Sequence, residues 1–386
     1  MTEPPPADGP IYLDHNATTP IDPAVTAAML PYLTSAFGNP SSGHHYGEQP
    51  RAGLDRARAE VAGLIGAGDG RIVLTGSGSE ADNLAVRGAV LASAVDRPHV
   101  ITQRTEHPAV LAACAALRRW HGAEVTCLPV DGAGRVDPAD LARAFTPRTV
   151  LVSIMAANNE TGVLQPVAEL ARITREHGAL FHCDAAQSVG KLPLDVLALG
   201  VDLLTVVGHK MYAPKGVGAL YVRSGVRLEP LVYGGGQEGG LRAGTENVAL
   251  VVALGTAARL AGDDLAAGGE HRTRQLRDRL HDALVTGLPD RVVVNGGAAD
   301  RLPNTLNVSI DGVVGHELLA VTPGIAASTG SACHSGDHEP SPVLTAMGIG
   351  LRRGLSALRL SLGRWSTAEQ VDRAAAVIVR AVRETG

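Results

Sequence analysis

The sequence predicts an α/β protein built on a mainly parallel sheet, and three observations carry that prediction. From about residue 50 to residue 260, short apolar runs alternate with segments of helical period. The runs are apolar throughout, so both faces of the sheet they form are expected to be covered by helices. Side chains with reactive chemistry stand directly after several of these runs, which is where open α/β sheets bind their ligands.

In chain order, "RAGLDRARAEVAGLIGA" has helical period, "RIVLT" reads as a strand, and "EADNLAVRGAVLAS" as the helix that follows. "HVITQRT" is the next strand and "PAVLAACAALRRWHG" the next helix. The alternation continues through "TVLVSIMAA", "QPVAELARITREHG", "LFHCDAAQ", "DLLTVVG" and "GALYVR". "NVALVVALGTAARLA" reads as a buried helix: Asn247, Gly255 and Arg259 interrupt it, and it falls short of the roughly 20 apolar residues that cross a bilayer. Glycine and polar residues gather near "LAGDDLAAGGEHRT", and beyond them come a charged helix, "RQLRDRLHDALVTGL", three shorter strands, "RVVVNG", "TLNVSI" and "ALRLSLGR", and a final amphipathic helix, "TAEQVDRAAAVIVRAVRE". The expected organisation is a large α/β domain over residues 16–261 and a smaller α+β domain formed by residues 1–15 and 262–386.

Composition narrows the function classes. The 386 residues are 45% apolar and 19% charged, ordinary for a globular chain, and carry a formal net charge of -5. That balance leaves no basic excess for direct nucleic-acid binding. The start, "MTEPPPADGP", lacks the charged and apolar regions of a secretory signal and reads as a flexible arm, so a cytoplasmic location without membrane association is expected. Four cysteines show no CxxC spacing, which argues against a disulfide framework and a metal site. Cys114 lies on an apolar helix face, and Cys127 and Cys183 lie in strands; these three are expected in the core.

The strand ends supply the chemistry. "TGSGSEADNLAVRG" places small residues between a strand and a helix, leaving backbone N–H groups free at a helix N-terminus, where phosphate binds. The same string satisfies GxGxxA through Gly76, Gly78 and Ala81, so a dinucleotide site of a dehydrogenase stands as a rival. An aspartate, a histidine and a lysine at neighbouring strand ends favour pyridoxal 5'-phosphate (PLP) instead. That cofactor needs a lysine for a Schiff base and a carboxylate on its pyridine nitrogen. Lys210 and Asp184 supply them, with Gln187 beside the ring hydroxyl and His107 on the ring face. A surface lysine, a helix-capping aspartate and a loop histidine are the plainer readings. In the second domain Cys333, within "ASTGSACHSGDHEPSPVL", stands among small and polar residues as an exposed sulfur nucleophile would. Arg359, in "ALRLSLGR", is placed to bind a substrate carboxylate with its planar fork, or else to make a surface ion pair.

Taken together, "YLDHNATTP", "GNPSSGHHYG", "TGSGSEADNLA", "TEHPAVL", "ANNETGVLQP", "HCDAAQSVGKLPLD", "GHKMYAPKGVGALYVR", "GGGQEGGLRAGTENV", "LPNTLNVS", "STGSACHSG" and "ALRLSLGR" run almost end to end. In these strings the chain resembles the cysteine desulfurases of the aminotransferase class V family. The resemblance implies a PLP-dependent enzyme of fold type I, with a mainly parallel seven-stranded sheet and a smaller domain that carries the cysteine loop. It implies a homodimer that converts L-cysteine to L-alanine and passes sulfur through Cys333, as a persulfide, to a protein acceptor in iron–sulfur assembly or thiolation. Lys210 is then the Schiff-base lysine. Gly78, Ser79 and His209 hold the phosphate, Thr245 reaches it across the dimer interface, and Asn159, Asp184 and Gln187 contact the ring system. His107 stacks on the ring, and Asn159 with Arg359 holds the substrate carboxylate. One departure is visible: many desulfurases place a serine where this chain has Val207, and "VGHK", like the pairing of "SACHS" with "PSPVL", resembles selenocysteine lyases. A selenocysteine lyase, a dehydrogenase and a non-catalytic scaffold are the alternatives to be distinguished.

Overall fold

The computed structural model of the protein describes residues 9–330 and 339–385; the N-terminal arm up to residue 8 and the segment 331–338, with Cys333, lie outside the described residues. The chain opens with β1 (Ile11–Tyr12), α1 (Pro23–Leu33) and α2 (His45–Leu64). Strand and helix then alternate through β2 (Arg71–Thr75), α3 (Gly78–Leu91), β3 (His99–Gln103), α4 (Pro108–His121), β4 (Glu124–Leu128), α5 (Pro138–Ala144) and β5 (Thr149–Ser153). They continue through α6 (Val167–Glu176), β6 (Leu180–Asp184), α7 (Val196–Leu199), β7 (Leu203–Val207) and β8 (Gly218–Val222). The long helices α8 (Val248–Ala266) and α9 (Gly269–Gly287) lead to β9 (Val292–Val294), β10 (Thr305–Ile310), α10 (Gly315–Ala320) and β11 (Ile325–Ala326). The chain ends with α11 (Pro342–Ala346), α12 (Leu351–Leu355), β12 (Ala357–Ser361) and α13 (Ala368–Thr385).

Strands β2 to β8 form one seven-stranded sheet in the order β2-β8-β7-β6-β5-β3-β4. Strand β8 runs antiparallel to both of its neighbours, β7 and β2, and the other pairs are parallel. Two reversals cancel, so β2 points the same way as β7. The residues that follow β2, β3, β5, β6 and β7 therefore gather along one edge of the sheet. Strands β3, β7 and β8 are buried along their whole length, as apolar runs between two helix layers must be. One layer packs Ala81, Leu84, Val110 and Leu117 of α3 and α4 on the sheet. The other packs Leu54, Val61, Leu170 and Leu254 of α2, α6 and α8.

A separate core forms around an antiparallel sheet of order β12-β10-β9. Leu280 and Leu284 of α9 and Leu288 at its C-cap, four residues apart, face Val371, Ala375, Ile378 and Val382 of α13. Ile11 and Leu13 join this core, and β1 pairs in parallel with β11, so the N-terminal segment is tied to the C-terminal part of the chain.

Two details differ from the sequence expectations. Cys127 is exposed rather than in the core: β4 is an edge strand whose residues are mostly half-covered, and apolar neighbours alone do not reveal that a strand has a bare edge. Cys114 and Cys183 are buried as expected. Residue 262, taken as the start of the second domain, falls inside α8, and the chain turns only at Gly268, whose φ is 78°.

Helix α8 lies close against α2 at Gly255. A Cβ there would stand 2.4 Å from Ala57 Cα and 2.6 Å from Ala57 Cβ, and backbone cannot yield as a side chain does. Gly262, in the same helix, would meet only Leu64 Cδ1 at 3.8 Å. Alanine gains about 1 kcal/mol of helix propensity over glycine, whereas overpacking costs about 1–3 kcal/mol. Gly255→Ala is therefore expected to lower unfolding free energy by up to about 2 kcal/mol and Gly262→Ala to raise it slightly. Denaturant titration of the two variants checks this, and equal effects would contradict the close crossing.

Candidate active site

The turn from β2 into α3 is closed by the side chains of Ser77 and Glu80. Ser77 Oγ accepts from Glu80 N at 3.1 Å, and Glu80 Oε2 accepts from Gly76 N at 2.8 Å. The N–H groups of Gly78 and Ser79, in the first turn, have no intrahelical acceptor and stand at the positive end of a 14-residue helix. Glycine is required at 78, where a Cβ would come within 2.4 Å of Val207 Cγ2. Val207 thus packs against the turn, and the residue that departs from the desulfurase pattern has a packing role. The free N–H groups of Gly78 and Ser79 stand at this helix start, and His209 follows Val207 by two residues.

Lys210 follows β7 in a short 3-10 turn, Gly208–Lys210. Its Nζ donates to the carbonyls of Asn16 at 2.5 Å and Ala17 at 2.7 Å. Burial lowers its pKa to about 8; the charge of Arg359 adds to this, while Asp14 and Asp184 oppose it. His209 Nδ1 lies 3.2 Å from Thr18 Oγ1, and burial, followed by the charge of Lys210, lowers its pKa to about 4, which keeps the ring neutral. The lysine is held by two carbonyls and is not the solvated surface residue of the plainer reading.

Asp184 ends β6, buried, with Oδ1 accepting from Ala186 N at 2.9 Å. No helix begins there, so it is not a helix cap. Burial raises its pKa, and the Ala186 N–H, His107 and Lys210 pull it back. Behind it lie two more buried acids. Glu106 Oε1 accepts from Met155 N at 2.5 Å and Gln103 Nε2 at 2.9 Å, and burial reinforced by Asp184 raises its pKa to about 8. Asp82 is pushed well above the carboxylate range by burial and then by Asp184. Of the three, Asp184 is the one with His107 and Lys210 beside it opposing the effect of burial.

His107 caps α4, its Nδ1 accepting from Ala109 N at 3.2 Å, so the proton sits on Nε2. Its ring is exposed, and the charges of Asp184 and Lys210 both act on it. Gln187, buried, donates from Nε2 to Asn16 O at 2.9 Å. Arg359, 5% exposed on β12, donates from Nη2 to Asp14 Oδ1 at 2.6 Å and from Nη1 to Asn159 O at 3.2 Å. Its Nε has no partner among the described residues, a buried donor left for a ligand. Asn159 is half-buried, and its backbone carbonyl also accepts from Asn16 Nδ2 at 3.2 Å.

Lys210, Asp184, His107, Gln187, Asn159 and Arg359 are thus brought together. Thr245 is exposed on the loop after Gln237–Gly240 and makes no hydrogen bond to any of them. That loop is pinned by Arg58, which donates to both oxygens of Glu238 at 2.8 and 2.9 Å, and by Arg242 on Glu80 at 2.9 Å. Cys333 lies outside the described residues. The residues flanking its segment are placed beside the site: Arg359 N donates to Ser328 O at 2.6 Å, and Ser341 Oγ donates to Glu160. Sequence reasoning missed Asp14, Asn16 and Lys191 as site residues. Each sits inside a string that carried the resemblance, but no period or spacing marks it.

The residues present fit PLP: an amine of depressed pKa, a buried carboxylate beside His107 and that amine, free N–H groups at a helix start, and an unpartnered guanidinium N–H. Comparison with known proteins agrees. The chain is 48% identical to the cysteine desulfurase of Trichormus azollae over 94% of this chain and 90% of that protein. It is 50% identical to the cysteine desulfurase IscS of an Anaeromyxobacter species, over 97% and 93%. A solved NifS-like protein superposes with a TM-score of 0.88 at 34% identity, covering 96% of this chain and 98% of that one. The family model described as aminotransferase class-V matches residues 11–374. By that match and these relatives, the chain belongs to the PLP-dependent aminotransferase class V family, with the α/β architecture of its NifS-like members.

Proposed function

We propose that the protein is a cysteine desulfurase that converts L-cysteine to L-alanine and transfers the sulfur to Cys333. The observation that carries the reading is the Lys210 amine, half-buried with a pKa of about 8, set between Asp184 and Arg359. The relatives of 48–50% identity bear the same activity in their names. A selenocysteine lyase finds no support among them, and the packing of Val207 on Gly78 accounts for that departure without a change of substrate.

Bound PLP supplies an electron sink that makes the substrate Cα proton removable and the Cβ–sulfur bond breakable. The chain does the rest. Lys210 would hold the cofactor, and its amine would move the Cα proton of the substrate. Asp184 would face the pyridine nitrogen and favour its protonated form, and Gly78, Ser79, His209 and, from the second subunit, Thr245 would hold the phosphate. Arg359, through its unpartnered Nε, and Asn159 orient the substrate carboxylate. The Cys333 thiolate attacks the substrate sulfur; an S–S bond forms, the Cβ–S bond breaks, and Cβ takes a proton to become the methyl of alanine. No outside oxidant is needed, because carbon gains the electrons that sulfur gives up.

Homodimer formation belongs to the same proposal. Leu30, Leu33, Phe37 and Tyr46 are 55–70% exposed, and the Phe37 and Tyr46 rings stack at 5.7 Å on the face of α1 and α2. A cytoplasmic setting and a protein sulfur acceptor complete it, with the two cores acting as a large domain and a smaller, cysteine-bearing one. Among the described residues no helix is long and apolar enough to cross a membrane.

Loading of the ligand-free protein with PLP requires the uncharged Lys210 amine. Its rate is expected to rise with pH through a midpoint of about 8 and then level, whereas a midpoint near 10.5 would contradict the burial of the amine. Cys333→Ala is expected to keep the yellow bound cofactor while alanine formation from L-cysteine falls to background; full turnover in that variant removes Cys333 as the acceptor. Lys210→Ala should lower alanine formation by at least ~10²-fold.

A further inference from the structure

Lys191 is a second lysine in the site that the proposed chemistry does not use. Its Nζ donates to Gln187 Oε1 at 2.7 Å and to Asn16 Oδ1 at 3.2 Å. Gln187 in turn donates from Nε2 to Asn16 O at 2.9 Å, the oxygen that also accepts from Lys210 Nζ at 2.5 Å. A carboxamide has a donor end and an acceptor end of nearly the same shape, so only its partners fix which way it faces. Here both ends have partners: Lys191 Nζ donates to the oxygen, and the Asn16 carbonyl, which can only accept, takes an N–H of the nitrogen.

We propose that Lys191 is a positioning residue that holds the Gln187 amide with its donor end toward Asn16 and Lys210, and thereby sets the protonation behaviour of the cofactor bound there. The proposal rests on the desulfurase reading only in taking PLP as the group bound. The local chain supports the geometry. Lys191 lies four residues after Gln187, on a turn in which Ser188 O accepts from Lys191 N at 3.0 Å and Leu192 N at 3.1 Å. Gly190, with φ of 77°, makes that turn, and a Cβ there would stand 3.1 Å from Ala261 Cβ and from Met211 Sδ.

A role as a mere counter-charge does not fit. Lys191 makes no ion pair with a carboxylate among the described residues. The groups facing it are Lys210 and His209 after β7, Arg359 on β12, and His15 beside Asp14 in the N-terminal segment. Burial, then Lys210 and Arg359, push its pKa well below the usual lysine range. An uncharged amine still has two N–H bonds, and two acceptors are in place for them.

The experiment uses the PLP-loaded protein and reads the absorbance of the bound cofactor against pH. Lys191→Met removes the donor and keeps the bulk. Gln187 Oε1 then loses its donor and only the Asn16 carbonyl still holds the amide, so its N–H is aimed less firmly into the site, and a weakened donor favours the protonated form. The midpoint is expected to move up by about one unit, the effect of one hydrogen bond. Lys191→Gln, which keeps an N–H donor, should fall between Met and the parent. In a Gln187→Leu background the further change Lys191→Met should shift nothing. An unchanged midpoint in Lys191→Met, or the same shift with and without Gln187, overturns the proposal; if that variant does not fold, the Lys191→Gln midpoint decides in the same way. A parent protein with no absorbance from bound PLP would instead overturn the desulfurase reading.

Discussion

The carbonyl oxygen of Asn16 accepts from Lys210 Nζ at 2.5 Å and from Gln187 Nε2 at 2.9 Å, and much of the site is organised around it. The same residue reaches the C-terminal core. Its N–H donates to Ser361 Oγ at 3.0 Å, its side-chain nitrogen to Thr305 Oγ1 at 2.8 Å, and its side-chain oxygen accepts from Asn304 Nδ2 at 3.0 Å. One asparagine thus bonds to β10, β12 and the loops after β6 and β7. A charged donor on a carbonyl is worth about 1.5–3 kcal/mol, so the lysine is held firmly enough to be directed and weakly enough to be released to a cofactor.

That arrangement depends on topology. Because β8 reverses against both neighbours, the phosphate-type turn after β2 opens on the same edge as the loops bearing His107, Asn159, Asp184 and Lys210. The N-terminal segment closes the site because β1 pairs with β11 in the other core. Arg359 arrives from that core on β12, and its bond to the Asn159 carbonyl joins the two. Acid and base are kept apart in character by burial: Glu106 and Asp82 are raised, Lys210 is lowered, and Asp184 sits between them with compensating partners.

Much of this was legible in the sequence. Apolar runs marked six of the seven sheet strands as elements, and "TLNVSI" coincides with β10. The reactive residues at strand ends did converge, since a parallel sheet sends those ends to one edge. What was not legible has physical reasons. β4 is an edge strand, so the exposure of Cys127 depends on a missing neighbour rather than on its own residues. The Glu80 carboxylate takes the Gly76 N–H, so fewer free N–H groups remain than the glycine pattern suggests. Asn16 and Lys191 act through contacts across 171 to 194 residues of sequence or through the orientation of one amide, which no local pattern encodes.

Two lysines, 191 and 210, donate to Asn16, one to its side-chain oxygen and one to its backbone oxygen, and the covalent role falls to Lys210. Borohydride reduction of the PLP-loaded protein fixes the cofactor on whichever lysine holds it, and peptide mass spectrometry reads the position. The account predicts the pyridoxyl group on the peptide containing Lys210, with Lys191 unmodified. A pyridoxyl group on Lys191 would contradict it.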